Sequence, residues 1–389
     1  MTTLTAVGWL LVSVPVVLAA YAWAGYPLLL AVLARLHGRR LVATEPAEWP
    51  TISISLPVYN EAHLIGDTLE ALLALDYPAG RRQVLVVSDA CTDGTDDIVR
   101  GFADRGVELL RMPERGGKIR AENAGAALLR GEIVINTDAS TRMRPDALKN
   151  IVRVFQDPTV GTASGCDAAV GATREGSDAE ASYTSYEMNL RDMETRLGSI
   201  VGSSGCFYAI RAGLHREALP GHLSRDFSSA LRARDAGLRA VSVRDARCLV
   251  PTAATMQAEF KRKIRTMSRG LVTLWYWRRL LNPLRHGVFA WMLASHKLGR
   301  WLVFLTAPIG LVGLALAAIT SPLARWLLGG GMVCTLLGTI ALRWKGPRRP
   351  PRLVTLCGSV LLVFLAGWIA WTQAVLGVRN AVWEPTKRG

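Results

Sequence analysis

Hydrophobic patterning divides the chain into two regimes. Residues 1–34 carry no charged side chain, and the apolar stretch 4–33 is about 30 residues long, enough to cross a bilayer with tilt. One span is expected rather than two. A cleaved leader would have a basic start, a shorter apolar core and a small-residue cleavage site, so the expectation is a retained helix. Arg35, Arg39 and Arg40 follow at once and place that end in the cytoplasm.

From Thr51 to Pro251 short β-branched runs alternate with amphipathic stretches, the pattern of an α/β domain. Segments 51–56, 83–88, 106–111 and 132–137 read as buried parallel strands, and 61–75, 96–104 and 119–130 as crossover helices. A nucleotide site at the carboxyl ends of such strands is the expectation. Residues 259–285 are basic and aromatic, with Trp275-Tyr276-Trp277 beside Arg278 and Arg279, and predict helices lying at a membrane surface with a belt of rings. Three further apolar runs, 298–319, 323–342 and 353–378, are each long enough to span. The loop 345–352 carries Lys345, Arg348, Arg349 and Arg352 and is expected in the cytoplasm. Four full spans would put Arg379, Lys387 and Arg388 outside, against the charge bias, unless the last run is re-entrant or interfacial.

The expected division is therefore 1–40, an N-terminal transmembrane helix with a basic flank; 50–255, a cytoplasmic α/β domain; 256–297, interfacial amphipathic helices; 298–378, a transmembrane region; and 379–389, a basic tail. Composition agrees. With 389 residues, 50% hydrophobic and 20% charged, the chain is too long for a disulfide scaffold and too apolar for disorder. A mean hydropathy of +0.23 and 12 Trp favour membrane spans. The net charge of +15 collects beside apolar runs without a nucleic-acid motif, so it is read as membrane topology. Six cysteines stand apart, without metal-ligand spacing, and are expected to be reduced with no structural metal. The six histidines lack such spacing too and are read as capping, packing or interfacial residues.

Four strings carry candidate chemistry. Leu56-Pro57-Val58-Tyr59-Asn60-Glu61 closes the first strand, and Ser88-Asp89-Ala90-Cys91-Thr92-Asp93 the second, so two edges would share one crevice. Arg115-Gly116-Gly117-Lys118, followed by Asn123-Ala124-Gly125, presents a cation where phosphates would lie, although such a turn alone is a weak signal. The fourth strand ends in Asn136-Thr137-Asp138-Ala139-Ser140, and Asp138 could hold a divalent cation bridging a diphosphate. Asp93, Asp96 and Asp97 are read as turn formers or caps.

In this order the strings resemble membrane-embedded family 2 glycosyltransferases with a GT-A fold, the group that includes hyaluronan, chitin and cellulose synthases. Gly202-Ser203-Ser204-Gly205-Cys206-Phe207 resembles the acceptor-side segment, and Ser224-Arg225-Asp226-Phe227 the general-base motif. The resemblance implies a GT-A, Rossmann-like nucleotide-sugar domain inserted between transmembrane helices. It implies that Pro57, Tyr59 and Glu61 line a uridine pocket, that Asp89 accepts from the base or ribose, and that Lys118 meets the nucleotide. Asp138 would bind Mg²⁺ or Mn²⁺ as well as the nucleotide, Gly205, Cys206 and Phe207 would meet the acceptor, Arg262 and Arg265 the leaving diphosphate, and Asp226 would be the base. Two motifs depart from the pattern. Ser140 replaces the second acid of DxD, and of QxxRW only Arg265 remains, with Thr266 where the acceptor-stacking Trp would stand. Arg225 replaces the more usual acid before Asp226 and is read as a possible surface pair.

The expected activity is inverting transfer of a hexosyl or N-acetylhexosaminyl group from a UDP-sugar to a lipid-linked or polysaccharide acceptor, at the cytoplasmic face of a bacterial membrane. Polysaccharide export is compatible with this, and a homo-oligomer or export partner could complete the conduit that four spans are too few to form. A non-catalytic subunit that binds nucleotide or polysaccharide is the alternative, motivated by the incomplete DxD. No nucleic-acid partner is expected.

Overall fold

The computed structural model describes residues 3–170, 177–251, 256–344 and 350–378. The chain forms two compact units, one from Leu30–Thr252 and Trp275–Met292, the other from Met1–Leu29, Ala253–Leu274 and Leu293–Val378.

The first unit is built on a mixed sheet of β1 (Ile52–Val58), β2 (Arg82–Ser88), β3 (Val107–Arg111), β4 (Ile133–Thr137), β5 (Arg142–Met143), β6 (Val160–Val170), β7 (Phe207–Arg211) and β8 (Arg239–Pro251), in the order β3-β2-β1-β4-β7-β6-β8-β5. The strands predicted at 51–56, 83–88, 106–111 and 132–137 are β1 to β4, and their mutual pairings are parallel. Beyond them β7 runs antiparallel to both β4 and β6, a direction that residue pattern does not encode. Burial explains why the centre of β2 reads as a continuous apolar run, Val84–Val87, while β1 alternates apolar residues with the small buried serines Ser53 and Ser55. On one layer Ile52, Ile54, Leu56 and Val58 pack with Ile65, Leu69 and Leu72; β2 sends Val84 and Val86 to that layer and Leu85 and Val87 to the other, with Ala121 and Leu129. Each such buried side chain contributes roughly 1.5–3 kcal/mol. Both faces are thereby covered.

The crossover helices are Ala62–Leu73, Thr95–Arg100 and Lys118–Gly125, shorter than the amphipathic pattern implied. The second stops at Gly101, and Gly106, at φ +83°, turns the chain into β3. Because strand order reverses between β1 and β4, the carboxyl ends of these strands flank a crevice.

A later helix, Arg225–Asp235, is held from outside by the segment read as a membrane belt. Trp275 and Tyr276 are exposed, but Trp277 is buried and its Nε1 donates to Ser228 Oγ at 3.4 Å. Arg279 pairs with Asp235, and the Arg234 guanidinium lies 5.6 Å from the Phe289 ring centre. Trp277 therefore packs on the α/β unit.

The second unit contains helices long and apolar enough to cross a membrane. Among the described residues there are four such helices in the chain: Thr3–His37, Val288–Ala318, Pro322–Arg343 and Arg352–Val375. The second begins at Val288 rather than the expected 298. Polar residues are accommodated inside it: His296 stacks on Tyr26 at 5.9 Å and the Arg300 guanidinium lies 4.7 Å from the Trp23 ring centre, so burial against aromatic faces replaces solvent. Residues 345–349 of the predicted cytoplasmic loop and the whole tail 379–389 lie outside the described residues.

Small residues let the first two of these helices meet. A Cβ on Gly313 would fall 2.6 Å from the Gly8 carbonyl oxygen, and one on Gly310 would fall 2.6 Å from Pro15. Backbones can approach this closely only without side chains between them. Gly313→Leu should therefore separate the two helices, at a cost of about 1–3 kcal/mol or more from overpacking. A lowered thermal midpoint of the detergent-purified protein, with no such change for Gly330→Leu where a Cβ meets open space, checks this.

Candidate active site

The site sits at the carboxyl ends of β1, β2 and β4, within the first unit. Pro57 is buried in β1, opposite Val87. Tyr59 follows β1, and the Arg115 guanidinium lies 3.8 Å from its ring centre. Glu61, nearly buried, precedes helix Ala62–Leu73, and its N–H donates to Thr95 Oγ1 at 2.9 Å. Asn60 and Ala90 adopt left-handed φ of +52° and +57° beside Tyr59 and Asp89. Thr92 N–H donates to Asn60 Oδ1 at 2.8 Å and steadies the first of these turns. Strain of this kind gathers at functional crevices.

Asp89 is 3% exposed. Its Oδ1 accepts from Gly116 N–H at 2.7 Å and its Oδ2 from Gly117 N–H at 2.8 Å. Those glycine amides are thus engaged by Asp89, and Lys118 is the group the turn presents to the crevice. Gly117 has φ +86°, a backbone that side chains rarely adopt, and Lys118 then opens helix Lys118–Gly125. Asp93 accepts from Ala62 N–H and Thr95 N–H, at 3.0 and 3.1 Å, while Asp96 pairs with Arg111 and Asp97 with Arg100.

Lys118 Nζ donates to Asp138 Oδ1 at 2.5 Å. Burial pulls the ammonium's pKa down, but Asp138, Glu122 and Asp226 together raise it above the ordinary lysine value, so Lys118 is charged. Asp226 and Asp138 therefore act on the same cation. Asp226 lies in the first turn of helix Arg225–Asp235, where Ser224 Oγ bonds its Oδ1. A Cβ on Gly205 would stand 3.1 Å from Asp226 Oδ2, so the loop passes close against the acid.

That loop is pinned. Ser204 N–H donates to Ser164 Oγ at 2.8 Å, Ser204 Oγ donates to Asp167 Oδ1 at 2.6 Å, and Cys206 and Phe207 N–H donate to Ser204 Oγ at 3.1 and 3.2 Å. Cys206 is partly exposed, whereas Phe207 is 0% exposed within the core of β1, β4 and β7. The acceptor contact expected of Phe207 is corrected: its ring anchors the loop from beneath and has no surface for a ligand.

Several residues beside the crevice were not assigned a place there from sequence. Glu122 is fully buried one turn after Lys118, and burial raises its carboxyl pKa while Lys118 and Arg225 pull it back. Arg225 is not on the surface: it is 5% exposed, with Nε 3.1 Å from Glu122 Oε2. Burial, with the nearby carboxylates Glu122, Asp226 and Asp138, pushes the Tyr208 phenol well above its ordinary value. Burial and the charges of Arg225 and Arg232 hold His215 far below its ordinary value and hence neutral. The only signal in the sequence was an acid four residues after Lys118, on the same helix face.

Arg262 and Arg265 belong to the other unit, on helix Met256–Tyr276. There Arg262 donates twice to Glu259, at 2.7 and 2.9 Å, and Lys263 joins the same carboxylate at 3.0 Å.

No group of three or more His, Cys, Asp or Glu among the described residues could hold a metal ion by itself. Asp138 supplies one carboxylate, one of whose oxygens already holds Lys118, and Ser140 supplies no second charge. These residues fit a divalent ion only where a ligand's phosphate oxygens complete its shell.

The mixed sheet with its crevice is a GT-A fold. A mannosyltransferase from Pyrobaculum calidifontis, solved with GDP-Man and Mn²⁺, superposes with a TM-score of 0.71 at 25% identity, covering 95% of this chain and 99% of that one. Residues 53–219 match glycosyl transferase family 2, and the chain thus carries a family 2 glycosyltransferase domain. An N-acetylglucosaminyltransferase of Mesorhizobium japonicum is 34% identical over 125 residues, 31% of this chain and 29% of the relative. A beta-monoglucosyldiacylglycerol synthase of Synechocystis is 30% identical over 172 residues, 42% of this chain and 36% of the relative. The chain spans no more than 36% of the length of either relative.

Asp89→Ala would leave two buried N–H groups without their charged acceptor, each such bond contributing about 1.5–3 kcal/mol. Thermal unfolding should shift down and proteolysis around Arg115 should quicken, with Asp93→Ala affecting the helix at Ala62 instead.

Proposed function

We propose that the protein is an inverting glycosyltransferase that moves a hexosyl or N-acetylhexosaminyl group from a UDP-sugar to a lipid-linked or polysaccharide acceptor at the cytoplasmic face of a membrane. The observation that carries this reading is Lys118, bonded to Asp138 at 2.5 Å and held protonated in part by the charge of Asp226, so that a diphosphate-binding cation and a candidate base share one crevice.

Cleaving a glycosyl–phosphate bond develops positive charge at the anomeric carbon and negative charge on the departing diphosphate. Lys118 would stabilise the diphosphate, and Asp89, by fixing the Gly116–Gly117 turn, would set where that cation stands. A divalent ion shared by Asp138 and the donor would offset phosphate charge when bound. The proposed roles of Pro57, Tyr59 and Glu61 are to line the base pocket, with Arg115 on the Tyr59 ring supplying a further cation. Arg262 and Arg265 are proposed for the diphosphate as well, Arg262 by exchanging Glu259 for phosphate. Asp226 would take the proton of the attacking acceptor hydroxyl, worth roughly 10²–10⁴ in rate. Gly205 would leave room beside it for the acceptor, with Cys206 at the same mouth.

A GDP-linked donor is the second reading, favoured by the GDP-Man bound to the Pyrobaculum relative. Nucleotide release measured in detergent with UDP-glucose, UDP-N-acetylglucosamine and GDP-mannose separates the two. Asp226→Asn should abolish turnover and keep nucleotide affinity within about threefold, whereas Asp138→Ala should weaken metal-dependent nucleotide binding about tenfold or more. Equal loss of nucleotide binding in both variants would overturn the assignment of roles. Nucleotide binding by the wild type without turnover on any donor would favour a non-catalytic subunit.

A further inference from the structure

We propose that Glu122 and Arg225 are a positioning pair that fixes Asp226 relative to Lys118, an inference that rests on the catalytic reading above. Each is the neighbour of a residue in that reading. Glu122 lies one helical turn beyond Lys118 in helix Lys118–Gly125, and Arg225 immediately precedes Asp226 in helix Arg225–Asp235. The 3.1 Å approach of Arg225 Nε to Glu122 Oε2 therefore joins the two helices at the point where they carry these side chains.

Arg225 also organises what surrounds the pair. Its second amino group donates to Asn123 Oδ1, and Asn123 in turn bridges Leu219, donating to its carbonyl oxygen at 2.8 Å and accepting from its N–H at 3.2 Å. The first amino group lies 3.4 Å from the His215 carbonyl oxygen, and the His215 ring is 3.1 Å from Asn136 Oδ1, on β4 two residues before Asp138. One guanidinium thus ties together the elements bearing Lys118, Asp138 and Asp226.

Stability alone does not account for the pair. Glu122 and Arg225 are 1% and 5% exposed, and a buried ion pair is typically no more stabilising than well-packed apolar groups of the same volume. What Arg225 adds is direction: its hydrogen bond to Asn123 Oδ1 orients the guanidinium, while toward Glu122 it presents an opposite charge at 3.1 Å without a hydrogen bond.

The test compares Glu122→Gln, Arg225→Met and the double variant of the purified full chain by thermal midpoint, nucleotide affinity, turnover and hydrogen exchange. Each single variant leaves one charge buried and should lower both midpoint and turnover. In the double variant the midpoint should recover while kcat stays roughly 10- to 100-fold below wild type, the size expected from a misplaced base. Its nucleotide affinity should remain within about threefold of wild type, and its amides at 224–228 should exchange faster. Recovery of kcat together with the midpoint, or failure of the double variant to fold, would make the pair structural and overturn the inference. Absence of turnover in the wild type would instead refute the catalytic reading, and exchange at 224–228 would then decide the pair alone: unchanged protection in the recovered double variant overturns it.

Discussion

Three carboxylates and two cations meet at the carboxyl edge of the sheet, and the candidate site depends on their balance. Asp138, Glu122 and Asp226 all act on Lys118, and Glu122 also pairs with Arg225. In a poorly solvated crevice an uncompensated carboxylate is costly, so none of these groups can be altered without changing the charge state or place of another. The surrounding architecture serves that balance. β4 ends at Asp138, the turn clasped by Asp89 delivers Lys118, and the start of helix Arg225–Asp235 delivers Arg225 and Asp226 together.

Much of this was legible in the sequence, and for definite physical reasons. Parallel strands buried on both faces favour apolar or small residues, so the apolar centre of β2, the start of β4 and the Ile/Ser alternation of β1 stood out, and the polar ends of β2 and β4 marked the edge where Asp89 and Asp138 lie. The cation after a double glycine was legible because Gly117 needs a backbone that other residues avoid. Arg225 was read as surface because an arginine next to an acid usually is solvated, and its partner Glu122 is distant in sequence, so nothing local signals the contact. Trp277 was taken for part of a membrane belt because its neighbours Trp275 and Tyr276 have the same composition; only packing on Ser228 distinguishes it. Phe207 was misplaced for the converse reason. It adjoins residues at the crevice mouth, but alternation along β7 turns its ring to the core.

The pinned segment from Ser204 to Phe207 has a consequence for selectivity. A hinged flap must be immobilised by whatever it closes on, and part of the affinity is lost to that ordering. Ser204 accepts two amides and donates to Asp167, and Phe207 is sunk beneath, so this border of the crevice is already set before any molecule arrives. Recognition along it would work as a rigid gauge, rejecting molecules by outline instead of adapting to them. Widening the range accepted would then require recutting the rim at Gly205 and Cys206, because loosening Ser204 would let the border collapse.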